Sequence, residues 1–203
     1  FYGVTYEKMG EMGHVQWPCP TLDHPGTPYL YKDNQFDTPT GKGQLFAAPW
    51  RAPAETPDAD FPLVLCTVRE VGHYSCRSMT GNCAALQSLA DEPGRVQMNP
   101  ADAEKLGISE GQLVWVRSRR GKVITRASIS ERINPGAVYM TYQWWIGACN
   151  ELTQDNLDPV SKTPETKYCA VKIDTIADQS WAENYAQTTY SAMKQRLREA
   201  VES

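Results

Sequence analysis

Proline is concentrated near the start of this chain, where nine of the fourteen prolines lie between Pro18 and Pro62. Because proline fixes φ and has no N–H donor, such a stretch forms neither a long helix nor a central strand of a sheet. We therefore predict that residues 1–60 form an extended, turn-rich arm. Its aromatic side chains need another surface to cover them, which predicts packing against a neighbouring domain: Trp17, Tyr29, Tyr31, Phe36, Phe46 and Trp50.

After the arm, the chain changes to short β-like runs. The apolar run 62–68 predicts a strand buried on both faces. Asn99 is placed as an N-cap before Pro100, and Gly107 ends the predicted helix. Further strands are predicted at 111–117, 122–129, 137–142 and 168–173, the first two of them forming a hairpin. Short strands without a βαβ rhythm favour a compact β-barrel with a few helices.

The end of the chain has a different period. Apolar residues recur every fourth position, which predicts an amphipathic helix: Trp181, Tyr185, Thr189, Met193, Leu197 and Val201. Two roles are open for it, docking on its own domain or binding a partner.

Composition excludes several classes of protein. The net charge of −4 argues against a nucleic-acid binder, and no apolar run approaches the ~20 residues of a membrane helix. We expect a soluble, cytoplasmic protein.

The six cysteines lack the spacing of zinc or iron–sulfur sites, so we expect free thiols and no metal site made by this chain alone. The first residue is Phe1, which suggests a processed, excised or partial polypeptide.

Two polar segments are candidate ligand sites. Residues 67–82 follow the apolar strand, where arginines could bind phosphate and Glu70 could accept from a ribose or an aminopurine edge. Residues 142–168 combine aromatic side chains with glycine, Asn150 and Thr153, a pattern that could receive a flat heteroaromatic ring. A solvated loop and ordinary core aromatics explain the same patterns. The basic residues from Arg117 to Arg126 are interpreted as a solvated edge.

In their order along the chain, these motifs resemble the C-terminal portion of the catalytic subunit of molybdopterin-dependent formate dehydrogenases. The resemblance covers nearly the whole chain, and its most specific part is Tyr142-Gln143-Trp144-Trp145 with the residues that follow it. It rests on these segments: 15–20, 24–30, 41–43, 67–76, 78–80, 99–103, 142–145, 150–153 and Lys167.

The resemblance implies a mainly β fold with helices. It places an extended Pro-rich arm at 1–60, packed on the rest of the enzyme, a double-psi β-barrel that binds the dinucleotide at 61–176, and an amphipathic helix at 177–203. The implied cofactor is molybdopterin guanine dinucleotide, as a bis-pterin complex of Mo or W. The cofactor-binding residues that it implies are Thr67, Arg69, Glu70, His73, Tyr74, Ser75, Tyr142, Asn150 and Lys167.

The family's metal-ligating residue, catalytic histidine, substrate arginine and [4Fe–4S] cysteines have no counterpart in these residues. The resemblance therefore implies that this chain holds no catalytic residue and is inactive alone. Its implied partners are the N-terminal remainder of the subunit and electron-transfer subunits of iron–sulfur, hydrogenase or NAD-linked type. A related molybdenum enzyme such as nitrate reductase, or a free-standing barrel used as a binding module, are the alternatives.

Overall fold

The computed structural model describes residues 1–90 and 92–202, and the side chains of residues 201 and 202 lie outside that description. The chain divides into two compact units, Phe1–Trp50 and Arg51–Ser203. The three segments predicted from the sequence, 1–60, 61–176 and 177–203, remain a prediction, and residue 203 lies outside the described residues.

The first unit is built mainly of turns. It contains helix α1, Tyr6–Met12, which the sequence analysis missed. The Thr5 hydroxyl accepts a hydrogen bond from Lys8 N at 3.2 Å and caps this helix. Around the fully buried Cys19 the backbone is tightly packed, since a Cβ at Gly3 would lie 1.9 Å from the carbonyl oxygen of Thr21. Of the six aromatic residues predicted to need cover, five remain largely exposed: Trp17, Tyr29, Tyr31, Phe46 and Trp50.

The second unit contains a closed six-stranded barrel in the order β1-β5-β2-β4-β3-β6. The pairs β1/β5 and β2/β4 are parallel, and the other four pairs are antiparallel. The predicted fold, a double-psi β-barrel with a C-terminal helix, is confirmed. The strands are β1 Leu63–Val68, β2 Arg95–Met98, β3 Leu113–Arg117, β4 Lys122–Ile129, β5 Ala137–Thr141 and β6 Cys169–Thr175.

Within the described residues, three α-helices accompany the barrel: α2 Ala84–Gln87, α3 Pro100–Leu106 and α4 Gln179–Glu202. The caps of α3 are those read from the sequence. Ala101 N donates to Asn99 Oδ1 at 2.9 Å, and Gly107 adopts a left-handed φ of 66°. The predicted hairpin is also confirmed, with Val116 opposite Val123.

Strand β1 differs from its prediction. Its side chains alternate between buried and half-buried, so it is not buried on both faces as the apolar run suggested. In a closed barrel, one face of each strand lines the core and the other meets the outer layer. The inner face of β1 contributes Leu63 and Leu65 to a core shared by all six strands. Strand β2 was not predicted, because its four residues alternate Arg95, Val96, Gln97 and Met98 over too short a length.

Helix α4 docks on the outside of the barrel. The fully buried Ala182 packs with Leu113, Ile124 and Ile176 in a second apolar cluster. This confirms a C-terminal helix, but its buried face is one residue away from the predicted stripe. Within that stripe, Trp181 is 46% exposed. The predicted stripe also includes Val201, whose side chain lies outside the described residues.

Strand directions define two rims of the barrel. At one of them, which we call the upper rim, β1, β3 and β5 end while β2, β4 and β6 begin. The connections that cross this rim are residues 69–94, 118–121 and 142–168. Residues that lie far apart in the sequence, such as 69, 142 and 167, are therefore brought to the same end of the barrel.

Candidate functional site

The nine predicted site residues all lie in or next to the connections of the upper rim. Parallel strands β1 and β5 pair Val68 with Thr141, so the residues that follow them leave the barrel side by side. Strand β6 runs antiparallel to β1 and pairs Cys169 with Leu65. The connection that leaves β5 therefore returns to β6 at this same rim, next to the end of β1.

Four of these residues form a group around the ring of Tyr142. The guanidinium carbon of Arg69 lies 5.5 Å from the ring centre, and Lys167 Nζ lies 5.8 Å from it. Ser75 Oγ lies 3.5 Å from the tyrosine hydroxyl. We call Arg69, Ser75, Tyr142 and Lys167 the Tyr142 group.

The Tyr142 group carries positive charge at the surface. Arg69 and Lys167 are exposed, and among the residues that the structure describes neither forms an ion pair with a carboxylate. The hydrogen bond from Ser75 and the two cations lower the pKa of the Tyr142 phenol. Such a group is suited to an anion that approaches from solvent.

Thr67 lies directly beneath the Tyr142 group, at the end of β1. Its hydroxyl is buried and donates to the carbonyl oxygen of Thr166 at 2.6 Å. Its own carbonyl oxygen accepts from Lys167 Nζ at 3.5 Å. The Thr67 side chain therefore joins two connections of the rim, and its backbone helps to place Lys167.

Glu70 borders a small cavity of about 90 Å³, which is also lined by Arg95, Gln97 and Tyr139. Gln143 Nε2 donates to its Oε2 at 3.4 Å. Burial raises the pKa of the Glu70 carboxyl, against the opposing effect of the Arg95 charge. The residue thus offers a half-buried acceptor beside the Tyr142 group.

His73 has a structural environment. The ring is 7% exposed, with Nδ1 3.1 Å from Thr80 Oγ1 and Nε2 3.1 Å from the carbonyl oxygen of Ala90. It also packs edge-on against Trp144 with ring centres 5.7 Å apart. Both ring nitrogens are therefore engaged within the fold. The neighbouring Tyr74 side chain, by contrast, is 64% exposed.

Asn150 lies in the 3-10 turn Cys149–Glu151, within the connection 142–168. Its side chain is exposed, and its carbonyl oxygen accepts from Thr153 Oγ1 at 3.0 Å. In the described part of the chain, no hydrogen bond joins the Asn150 side chain to the Tyr142 group. The nine residues thus share a rim, but hydrogen bonds do not join them into one network.

Family comparison places this rim within a known domain. Residues 63–170, more than half of the chain, match the molydopterin dinucleotide binding domain. The chain belongs to this family. The match begins at β1 and ends at the start of β6, so it includes every connection of the upper rim.

Curated relatives agree with the family. The chain is 62% identical over 203 residues to formate dehydrogenase H of Escherichia coli (strain K12), covering 99% of this chain and 28% of that protein. It is 40% identical over 176 residues to the F420-dependent formate dehydrogenase subunit alpha of Methanocaldococcus jannaschii, covering 87% and 26%. Periplasmic nitrate reductase of Desulfovibrio desulfuricans is more distant, with 33% identity over 187 residues, covering 85% and 25%.

These figures confirm the resemblance to formate dehydrogenase catalytic subunits that was read from the motifs. The chain spans about a quarter of the length of the curated relatives it matches. Among solved structures, acetylene hydratase from Pelobacter acetylenicus shares the fold, with a TM-score of 0.57 and 19% identity over 70% of this chain and 25% of that one.

The molybdopterin-binding domain also has two buried or half-buried arginines whose roles the sequence did not reveal. Arg77 is one of the arginines of residues 67–82 for which the sequence predicts phosphate binding, but its side chain is 6% exposed and pairs with Glu92. Arg120 was interpreted as part of a solvated edge. It forms two hydrogen bonds to Glu55, at 2.7 and 2.9 Å, and donates from Nε to the carbonyl oxygen of Leu152 at 3.0 Å.

The edge interpretation of the basic hairpin is therefore wrong, because a closed barrel leaves this hairpin no edge to protect. Arg126 is also paired, with Glu183 of α4 at 2.6 Å. A single sequence does not show which arginine of a loop is buried, because the groups that pair with a buried arginine lie far from it along the chain.

The described residues contain neither a metal-binding cluster nor a membrane-spanning helix. Among residues 1–90 and 92–202, no cluster of three His, Cys, Asp or Glu side chains is arranged to bind a metal ion. In those residues, no helix has the length and apolar character to cross a membrane. The six cysteines are free thiols, and burial raises the pKa of Cys149 to about 12 and that of Cys169 to about 11.

Proposed function

We propose that this chain binds a molybdopterin guanine dinucleotide at its upper rim as part of a formate dehydrogenase. The observation that carries the proposal is the convergence of Arg69, from the connection 69–94, with Tyr142 and Lys167, from the two ends of the connection 142–168, onto one exposed, positively charged group. Membership of the dinucleotide-binding family supports the same rim.

The residues at the rim fit the chemistry of such a cofactor. Two exposed cations offset the charge of a diphosphate, and arginine can donate to it through a planar fork. Ser75 and Tyr142 add hydroxyl groups, and the carboxyl of Glu70 can accept from a ribose or an amino group. We assign cofactor binding to the nine residues predicted above. Thr67 and His73 act through their neighbours, because their side chains are buried and engaged.

Asn150 and Tyr74 extend the proposed surface beyond the Tyr142 group. Both side chains are exposed at the same rim. An amide presents a donor and an acceptor together, which matches the edge of a pterin ring. A phenol ring offers a flat face for stacking.

Formate is the proposed substrate of the whole protein because identity to formate dehydrogenase H, at 62%, far exceeds the 33% found with a nitrate reductase. When bound, the cofactor would supply a molybdenum or tungsten centre that accepts two electrons as formate becomes carbon dioxide. This chain's part is to bind and orient the pterin ligands.

The remaining parts of the reaction belong to the rest of such a subunit. We propose that the metal-ligating residue, the catalytic histidine and arginine and a [4Fe–4S] cluster are supplied from outside these residues. Electron-transfer subunits of iron–sulfur, hydrogenase or NAD-linked type are the proposed partners, and the cytoplasm is the proposed compartment. The first unit, with its exposed aromatic side chains, is proposed to pack on the remainder of the subunit.

The test is the amount of pterin retained by purified variants of the complete protein. We expect Arg69→Ala and Lys167→Ala each to weaken cofactor binding by about 1.5–3 kcal/mol, because a phosphate loses a charged hydrogen-bond partner. Arg132→Ala is the matched control, since Arg132 is exposed in the loop after β4 at the opposite rim. Pterin released by denaturation is measured by fluorescence and mass spectrometry. Full pterin occupancy in both test variants would refute the site.

A further inference from the structure

Arg77 and Glu92 form an ion pair inside the upper rim. Arg77 Nη2 lies 2.5 Å from Glu92 Oε1, and their side chains are 6% and 4% exposed. Burying two charges costs about as much as their attraction returns, so such a pair adds little net stability. Its role is better sought in the groups that the two side chains hold in place.

Three more hydrogen bonds join this pair to the backbone of one loop. Arg77 Nε donates to the carbonyl oxygen of Gln143 at 2.9 Å. Trp145 N donates to Glu92 Oε1 at 2.8 Å, and Ile146 N donates to Glu92 Oε2 at 3.0 Å. Residues 143–146 have no helical or strand structure of their own. Two side chains of the connection 69–94 therefore hold the backbone directly after Tyr142 in place.

The same arginine belongs to the loop that carries two other members of the Tyr142 group, Arg69 and Ser75. Arg77 follows Arg69 and Ser75 in the connection after β1, and its backbone N–H donates to the carbonyl oxygen of Tyr74 at 2.9 Å. Its guanidinium carbon lies 4.5 Å from the centre of the Trp144 ring. One side chain thus links the loop of Arg69 and Ser75 to the loop of Tyr142.

We propose that Arg77 and Glu92 are positioning residues: their buried ion pair, through its hydrogen bonds to residues 143–146, sets the separation of the two loops and so places Tyr142 against Arg69 and Ser75. Neither residue touches the cofactor in this scheme. The consequence for dinucleotide binding rests on the proposed function, whereas the placement of Tyr142 is measured without any cofactor.

The experiment uses Arg77→Lys and Glu92→Gln in the complete protein. Lysine keeps a positive charge beside Glu92 but lacks the planar Nε–H that reaches Gln143. Glutamine keeps the size of Glu92, but its NH₂ group cannot accept from a backbone N–H. The control is Val114→Ala, which shortens a fully buried side chain of β3. Val114 lies opposite Thr125 and Thr175 in the neighbouring strands and is in neither loop.

The first measurement is the ionisation of Tyr142 in cofactor-free protein. It is followed as tyrosinate absorbance, and each variant is compared with the same variant carrying Tyr142→Phe. We expect the Tyr142 pKa, lowered by Ser75, Arg69 and Lys167, to rise towards its ordinary value of 10.0 in Arg77→Lys and Glu92→Gln. It should stay low in Val114→Ala, although that variant also loses thermal stability.

The second measurement is the affinity for the dinucleotide. We expect a decrease of about tenfold in Arg77→Lys and Glu92→Gln, the scale seen when a residue that orients a ligand group is lost. Val114→Ala should retain the cofactor at temperatures well below its own melting temperature.

The outcomes separate this inference from the function on which it rests. An unchanged Tyr142 pKa in both pair variants, or an equal rise in Val114→Ala, overturns the positioning role. If neither pair variant accumulates as folded protein, the pair is purely structural and the proposal is wrong. A shifted Tyr142 pKa with full pterin retention even in Arg69→Ala and Lys167→Ala supports the positioning and refutes the proposed cofactor site.

Discussion

Replacing Gly94 by alanine tests how tightly the upper rim is packed. Gly94 has φ +71°, and a Cβ built there would lie 2.1 Å from Cδ1 and 2.2 Å from Nε1 of Trp144. Both distances are far inside van der Waals contact, so the indole ring must move. That ring is 2% exposed, and its Nε1 donates to Thr141 Oγ1 at 2.6 Å.

The expected loss of stability has two parts. A side chain in the left-handed region costs about 1–2 kcal/mol. Displacing a buried tryptophan forfeits part of the ~3–5 kcal/mol that its complete removal would cost. Gly94→Ala should therefore lower the free energy of unfolding by about 4 kcal/mol, measured by urea denaturation of the purified chain.

Gly136→Ala is the matched control for Gly94→Ala. Gly136 has φ +81°, but nothing lies within 4 Å of its Cβ position. Gly136→Ala should lower the free energy of unfolding by the cost of the left-handed backbone alone, about 1 kcal/mol. The excess loss at Gly94 should largely disappear in a Trp144→Leu background, because the clashing ring is then absent. Equal losses in Gly94→Ala and Gly136→Ala would show that the packing of Trp144 on Gly94 is wrong.

Two further predictions concern the buried thiol of Cys149 and the ion pair between Glu55 and Arg120. Iodoacetamide at neutral pH should label the exposed Cys76 in the folded protein and Cys149 only after unfolding. The reason is that burial raises the pKa of Cys149 to about 12. Alkylation of Cys149 in the folded protein, detected by peptide mass mapping, would contradict this prediction. The hydrogen bond from Arg120 lowers the pKa of the Glu55 carboxyl. The ionised carboxylate therefore stabilises the folded protein above its ordinary pKa of 4.5, and this stabilisation is lost as the pH falls below that value. In urea denaturation, Glu55→Gln should be less stable than the parent at neutral pH, and the two curves should converge in acid; parallel pH dependences would exclude this role.

Local features of the fold followed directly from the sequence. The cap at Asn99, the stop at Gly107 and the hairpin of β3 and β4 depend on backbone preferences and alternation within a few residues. These signals act over short distances, so one sequence is enough to read them. The shortest strand, β2, carries too few residues for such a signal.

The candidate site could be predicted from the sequence only in part. The motifs, through the family resemblance, directed attention to Arg69, Tyr142 and Lys167, and the structure brings these three together. Spacing along the sequence alone could not predict this, because Arg69 lies in the connection 69–94 whereas Tyr142 and Lys167 lie at opposite ends of the connection 142–168. Their meeting depends on the parallel pairing of β1 with β5, which is a property of barrel closure.

The sequence by itself determined the mainly β character of the chain, its proline-rich beginning, its C-terminal helix and its family. Tertiary structure alone decided which face of α4 is buried, and which arginine of the 69–77 loop is exposed to a ligand and which is sequestered. Arg77 is buried because Glu92 and the carbonyl oxygen of Gln143 compensate its desolvation, and those partners lie 15 and 66 residues away. The cost of burying a charge is settled by what surrounds it in space, and a linear sequence does not contain that information.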